Sequence, residues 1–398
     1  MVVWDVVYGR FELPEFLAPL IASPEFRRLS EVRLLNINSP SLSSLAEVRR
    51  YSHTLGVLYL AMQNPLLGLG RDEHRALLAT IIVHDAGTPA FAHLFEYALS
   101  EKTGWNHEDV VTTILRNRHH VDTRTHQFYS TQRPRFKELC RKAKIDFDLV
   151  IRILEREHPA SKLVFGTVDF DNIDNVARMN VMLGNQVDIG RLVALAASLG
   201  ADANTPLLLP ESQKDNLMAW SELRRKAYEV LVFDPKTVAG QAVLSTVIDD
   251  ALTDGTLAEE DWGYTDAELI ATLKGSSAEA NERLEKDFFG MVPELMLLTH
   301  VTDQCHPLFR LDRGQVARAV CEFLTARRIA RPYGYSLRDR GTFEKAVRAT
   351  DPITGQEWGV GTRSDSIVIY GFGRGGTQRR SPRDLGGDFL AWTERSPW

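Results

Sequence analysis

Cysteine is scarce in this chain: only Cys140, Cys305 and Cys321 occur among 398 residues. They lie far apart and none has CxxC spacing, which argues against a disulfide framework or a cysteine zinc site. No apolar run reaches the length of a membrane span. The N-terminus MVVWDVVYGR lacks the basic start and apolar stretch of a signal peptide, so the cytoplasm is the expected location. Excess positive charge is also missing. Lys and Arg number 47 against 53 Asp and Glu, a net charge of -6, so general nucleic-acid binding is not expected. Apolar residues at 44% and charged residues at 25% are ordinary for a soluble globular protein.

Helical periodicity dominates residues 14 to about 300. VRRYSHTLGVLYLAM places Val48, Tyr51, Leu55, Leu58 and Met62 on one face. RALLATIIVHD is apolar nearly all round, as a central core helix would be. FAHLFEYALSEKTG is a helix closed by Gly104, and NHEDVVTTILRN, FDNIDNVARMNVML and SELRRKAYEVLVF read as further helices. No alternating strand pattern stands out in this part. After residue 300 the texture changes: HPLFRLDRGQVARAVCEFLTARRIA is helical, but SDSIVIYGFGRGG reads as a strand and a glycine turn. The expected fold is all-α, a helical domain over 1–300 followed by a small α+β region over 301–398. GFGRGG is not read as a phosphate loop, because the breaker-rich TQRRSPRDLGG follows it instead of an amphipathic helix.

The chemistry concentrates around IIVHDAGTPAFAH, residues 81 to 93. His84 and Asp85 end an apolar helix, and the plain reading is a helix C-terminus stopped by Gly87. A second reading is a pair of metal ligands. His53 lies on the polar face of its helix, three residues after Arg50. Farther on, Asp171, Asp174 and Arg178 share one helical face, where Asp174 and Arg178 at i, i+4 also suit a simple ion pair. Two imidazoles and two carboxylates, His53, His84, Asp85 and Asp171, make a plausible donor set for one divalent ion among Mn, Fe, Co, Ni, Zn and Mg.

The order Arg-x-x-His, His-Asp-x-Gly, then an Asp-x-Asp helix resembles the HD superfamily of metal-dependent phosphohydrolases, and within it the deoxynucleoside triphosphate triphosphohydrolase branch. SPEFRRLSEVRLL, VRRYSHTLGVLYLA, HDAGTPAFAHLFE, WNHED, VDFDNIDNVARMN and LRRKAYE carry the likeness, over roughly residues 23 to 235. The resemblance implies that His53, His84, Asp85 and Asp171 hold the metal, which serves to bind a phosphate oxygen and activate water. It also implies that His93, Glu96 and His107 surround the scissile phosphate as water-orienting or proton-transfer groups. A helix N-terminus would disfavour the charged form of His107. Arg50 is the first candidate for phosphate, with Arg224, Tyr228, Asp174 and Arg178 as further substrate-binding groups. Departures from the branch are Thr88 in place of a histidine, Asn175 in place of a tyrosine, Met179 in place of an acid, and Leu34 in place of a polar residue. The hydrolytic centre therefore looks complete, while the shell that reads the sugar does not.

Residues 116 to 144 hold nine Lys or Arg against two acids, together with His119, His120 and His126. This stretch is either a solvated basic loop or a lid over polyphosphate. The expected activity is hydrolysis of a nucleoside or deoxynucleoside triphosphate, with a sugar-modified one left open by the altered shell. A monophosphate phosphatase, a dinuclear HD phosphodiesterase and a nucleotide sensor without turnover are the rivals. A nucleotide is the expected partner, no membrane is, and a homo-oligomer stays open.

Overall fold

In the computed structural model, residues 1–36, 39, 42–65, 69–116, 135–340, 345–362, 365–375 and 381–395 are described. The chain is mostly helical. It opens with an antiparallel hairpin, β1 (Val2–Asp5) and β2 (Gly9–Glu12). The helices that position the site follow: α1 (Arg50–Gln63), α2 (Arg71–Val83), α3 (His93–Thr103), α4 (His107–Leu115) and α5 (Phe147–Leu154). After them come α6 (Phe170–Met182), α7 (Ile189–Ala197), α8 (Lys214–Phe233) and α9 (Pro235–Asp254).

The apolar periodicity accounts for the packing. Leu55 and Leu58 of α1 are buried, while Tyr51 and Met62 are half-buried at the edges of the same stripe. Val48 is buried too, but it precedes the helix. In α2 every residue from Ala76 to Val83 is buried, which fits a helix enclosed on all sides. It packs on α1 and α5, and α1 packs in turn on α6 and α7. Each fully buried Leu or Ile here contributes about 1.5–3 kcal/mol relative to an exposed one. Gly104 stops α3 in a left-handed turn at φ 74°, as its place in the sequence suggests. Asp169 caps α6, its Oδ1 accepting from the Asn172 amide at 2.7 Å.

The last quarter adds β3 (Glu294–Val301), α10 (Arg313–Ala326), β4 (Ala330–Arg340), β5 (Val347–Thr350), β6 (Glu357–Val360), β7 (Asp365–Arg374) and α11 (Pro382–Thr393). Strands β3, β7 and β4 form an antiparallel sheet in that order, and β5 pairs with β6. The expected strand in SDSIVIYGFGRGG is β7, the middle of the sheet. Ile367 and Ile369 pack with α10 and α11, while Val368, Tyr370 and Phe372 join the core beside α3 and α9. The sheet is thus covered on both faces. Strand β3 begins before residue 300, inside the stretch read as helical. Its ELMLLTHV carries a continuous apolar run, which matches a doubly covered strand and a buried helix equally well. The β5–β6 hairpin leaves the sheet and packs on the helices, with Trp358 Nε1 donating to the Leu209 carbonyl at 3.1 Å.

Among the described residues, no helix is long and apolar enough to cross a membrane. All three cysteines are free.

Candidate metal centre and the cavity around it

Three helices bring the expected donors together. His53 stands near the start of α1, His84 and Asp85 follow the end of α2, and Asp171 lies in the first turn of α6. One ligand atom from each of the four falls within 4.8 Å of the others. His53 Nε2 is 2.7 Å and His84 Nε2 3.3 Å from the same oxygen, Asp171 Oδ1. His84 Nε2 also lies 3.6 Å from Asp85 Oδ2. That Asp85 oxygen is buried without a hydrogen-bond partner. Its twin, Oδ1, takes Arg50 Nη1 at 2.6 Å and Thr88 Oγ1 at 3.2 Å. A buried carboxylate oxygen left unpaired is costly, and a cation shared with two imidazoles would satisfy it. The nitrogen and oxygen donors therefore fit a divalent metal.

The far side of each imidazole is also fixed. His84 Nδ1 donates to the Ile81 carbonyl at 2.7 Å, which turns Nε2 toward the cluster. His53 Nδ1 lies 2.6 Å from Asp174 Oδ2. Arg178 grips Asp174 with Nε and Nη2 at 2.9 and 3.0 Å, and reaches Asp5 of β1 with Nη1 at 3.0 Å. Asp174 and Arg178 are both buried and neither lines the cavity. They were expected to bind substrate; here their face of α6 turns toward α1, where Arg178 holds Asp174 and Asp174 meets His53. Gly56 of α1 makes this approach feasible, because a Cβ there would overlap Asp174 and Arg178.

Burial disfavours charge on His53, but its hydrogen bonds and attraction to Asp171 and Asp174 outweigh it, and the pKa rises to about 9. His84 is raised for similar reasons, against its burial, by Asp85 and Asp171. Burial would raise Asp85, yet the Arg50 guanidinium and His84 hold it well below the usual carboxylate range. Asp171 is likewise lowered, its two imidazole contacts overcoming burial.

Beside the cluster stands a second group. Glu96 Oε1 contacts His107 Nδ1, and Glu96 Oε2 lies 2.8 Å from His93 Nδ1. Burial would raise the Glu96 carboxyl, but these two imidazoles hold it well below its ordinary value. His107 is raised in return, against its burial. The N-terminal dipole was expected to disfavour charged His107; pairing with a buried carboxylate overrides it. His93 is not a core histidine. Its side chain is 56% exposed, and its ring stacks on Tyr97 at 6.0 Å.

A cavity of about 470 Å³ opens over these groups, within the range of small-molecule sites, ~300–1,000 Å³. Arg50, His53, His84, Asp85, His93, His107 and Asp171 line it, and so does Tyr228. Arg224 sits behind Tyr228, its guanidinium 4.4 Å from the ring centre. Leu34 and Asn175 face the cavity, and Asn175 Oδ1 is buried without a partner. Met179 is in the core, away from the wall. Arg116 pairs with Glu155 at 2.7 Å. The rest of the basic stretch through 134, with His119, His120 and His126, lies outside the described residues.

Several wall residues carry no sequence signal of their own. Asp169 caps α6, yet its Oδ2 is buried and unpartnered, and burial together with the Asp171 charge pushes it up to about 7. Lys345 does not line the cavity but feels the Asp169 and Asp171 charges; burial and the neighbouring Arg224 lower its ammonium to about 8. Asn36, Gln241 and the β4 residues Tyr335, Leu337, Arg338 and Asp339 complete the side opposite the donors. The C-terminal region, which resembled nothing nameable in the sequence, thus supplies one wall of the site.

No protein-family model matches the chain. A stretch of 125 residues, 29% of the chain, is 26% identical to the deoxynucleoside triphosphate triphosphohydrolase SAMHD1 homolog of Dictyostelium discoideum. That match spans about a quarter, 24%, of the relative's length. The crystal structure of a phosphohydrolase from Bacteroides thetaiotaomicron superposes with a TM-score of 0.65, covering 93% of this chain and 99% of that one. Identity to it is 14%, so the shared property is the fold, and the fold includes the C-terminal part. The chain resembles HD-type phosphohydrolases of the deoxynucleoside triphosphate triphosphohydrolase kind.

Proposed function

We propose that the chain is a metal-dependent phosphohydrolase acting on a nucleoside or deoxynucleoside triphosphate. The observation that carries this reading is the convergence of His53, His84, Asp85 and Asp171 on the floor of a cavity, with Asp85 Oδ2 left unpaired. These four residues would hold a divalent cation, which supplies Lewis-acid activation of water and of a phosphate oxygen. Arg50 keeps Asp85 ionised and offers positive charge at the same wall for phosphate. Glu96 holds His107 in its charged form, where it donates to an oxygen of the phosphate as negative charge develops. Tyr228, braced from behind by Arg224, presents an aromatic face to the sugar.

The branch chemistry implied by the resemblance is release of intact triphosphate. Phosphate and triphosphate release from a panel of nucleotides, with added Mn²⁺ and products resolved by chromatography, tests the reading. Turnover that is lost in His84→Ala and with a chelator supports it. Binding without turnover for every nucleotide would instead make the chain a sensor.

A further inference from the structure

The metal-facing cavity continues into a second compartment of about 380 Å³, and the two share Tyr97, Tyr335, Leu337 and Arg338. None of the groups assigned to hydrolysis lies in the second compartment. Its floor is Arg313, the first residue of α10. The guanidinium carbon is 5.1 Å from the Tyr97 ring centre and 5.8 Å from that of Tyr335. His93, bonded to Glu96, stacks on Tyr97 at 6.0 Å, so flat groups run from His93 through Tyr97 to Arg313. The Tyr335 hydroxyl donates to Gln241 Oε1 at 2.9 Å, which also accepts from Asn36 Nδ2 at 3.1 Å, and this locks the ring.

Arg313 is mostly buried, with 13% of its side chain exposed, and bears on Glu101 and the Tyr335 hydroxyl, while its Nε and Nη1 have no acceptor within hydrogen-bond distance. Its ion partner, Glu101 Oε1, stands back at 3.7 Å. The charged lining residues are Arg313 and Arg338 against Glu101 and Asp312, so their charges cancel. A compartment without net charge does not draw a further phosphate. It suits a flat, neutral group that stacks and brings hydrogen-bond acceptors to unsatisfied N–H donors.

We propose that this compartment receives the base of the nucleotide, and that Arg313 selects bases with an acceptor edge, guanine above adenine. The inference rests on the phosphohydrolase reading for the placement of the phosphates at the other end. Guanine presents O6 and N7, both acceptors, whereas adenine replaces O6 with an amino donor that would face the Arg313 donors. Base-edge contacts of this kind discriminate by about tenfold or more.

The test compares kcat/KM for GTP, ITP and ATP in the full chain with Mn²⁺. ITP keeps O6 and N7 but lacks the guanine amino group. GTP and ITP are expected to exceed ATP by about tenfold or more, and Arg313→Met to bring both down toward ATP. If Arg313→Met does not fold, Arg313→Lys carries the same expectation, since it keeps the charge and loses the planar donors. Tyr97→Leu, at a half-open rim position, is expected to raise KM for all three through lost stacking. A ratio near one in the wild type, or a ratio that survives loss of the guanidinium, overturns the proposal while leaving hydrolysis intact. Should no triphosphate be turned over, the hydrolytic reading fails instead. Calorimetry with guanosine and adenosine then decides the base site alone: tighter guanosine binding upholds it and equal binding overturns it.

Discussion

Substituting Gly56 by alanine tests whether the close approach of α6 to α1 depends on a single missing methyl group. In an ordinary helix interior, Gly→Ala stabilises by about 0.5–1 kcal/mol, because glycine loses more backbone freedom on folding. Here the new Cβ would overlap Asp174 Oδ1 and Arg178 Nη2. Those side chains are 0% and 1% exposed and are tied to His53 and Asp5, so neither can swing into solvent. If α1 moves away from α6, the overpacking costs about 1–3 kcal/mol. If the ion pair separates, an uncompensated buried charge costs about 3–5 kcal/mol. After subtracting the helix gain, a net loss of up to about 4.5 kcal/mol is expected, and a loss of about 1–5 kcal/mol relative to an unhindered Gly→Ala change. His53 loses the fixed partner of its Nδ1, so metal affinity should fall by about 10–100-fold. Urea unfolding followed by far-ultraviolet circular dichroism, paired with a metal titration, measures both effects. Gly275→Ala is the control: it lies in the helix Asp266–Ser276, and a Cβ there meets nothing within 4 Å. A Gly56→Ala protein as stable as that control, with unchanged metal affinity, would refute the reasoning.

The remaining predictions concern the donors and the cavity. His84→Ala and Asp171→Ala should each lose bound metal on elemental analysis while keeping their helical content; full occupancy in both would sink the ligand assignment. Glu96→Gln should lower kcat by about 10²–10⁴ with metal content unchanged, and should move the alkaline limb of the pH profile to lower pH, because His107 loses the carboxylate that raises its pKa. An unmoved profile makes the pair structural. The raised pKa of His53 stabilises the metal-free fold fully below its unfolded value of about 6.5, and that contribution is lost as pH rises through about 9. The urea midpoint of metal-free protein should therefore be higher at about pH 6 than at about pH 9.5, with metal affinity rising over the same interval as the competing proton leaves; pH-independent values would refute this. With Leu34 on the cavity wall, ATP and dATP should differ by less than about a hundredfold in kcat/KM, and a stronger preference for dATP defeats the expectation of weak sugar selection.

The donor set was legible because metal chemistry restricts both residue type and order along the chain. His53 and Asp171 stand on helices, and His84 and Asp85 directly follow one, whose apolar periods are readable, so their positions could be assigned before any packing was known. The roles of Asp174 and Arg178 were less accessible. Their i, i+4 spacing announces an ion pair, but only the crossing of α6 over α1 decides whether that pair faces solvent, substrate or a neighbouring imidazole. The charge state of His107 depended on a contact eleven residues away, with Glu96, that outweighs the local helix dipole. Strand β3 and the cavity wall of β4 were hidden for a different reason. A sheet covered on both faces has no polar alternation to betray its period, and nothing local in YGYSLRDR shows that it closes a cavity built by helices far earlier in the chain.

Strand β4 is the edge of its sheet, joined to it through β7 alone. Tyr335, Leu337 and Asp339 alternate toward the cavity along it, with Tyr335 paired to Tyr370 and Leu337 to Val368. A slip of one residue in that pairing would send these side chains to the opposite face and bring their neighbours round. The donors on α1, α2 and α6 would not notice. The metal-facing donors and the β4 wall are therefore mounted on separate frames, one locked by helix crossings and the other by strand register. A single inserted or deleted residue ahead of β4 could change what the cavity accepts without moving a ligand atom. The register already shifts between Ala330 and Tyr333, which places such an irregularity directly upstream of the wall.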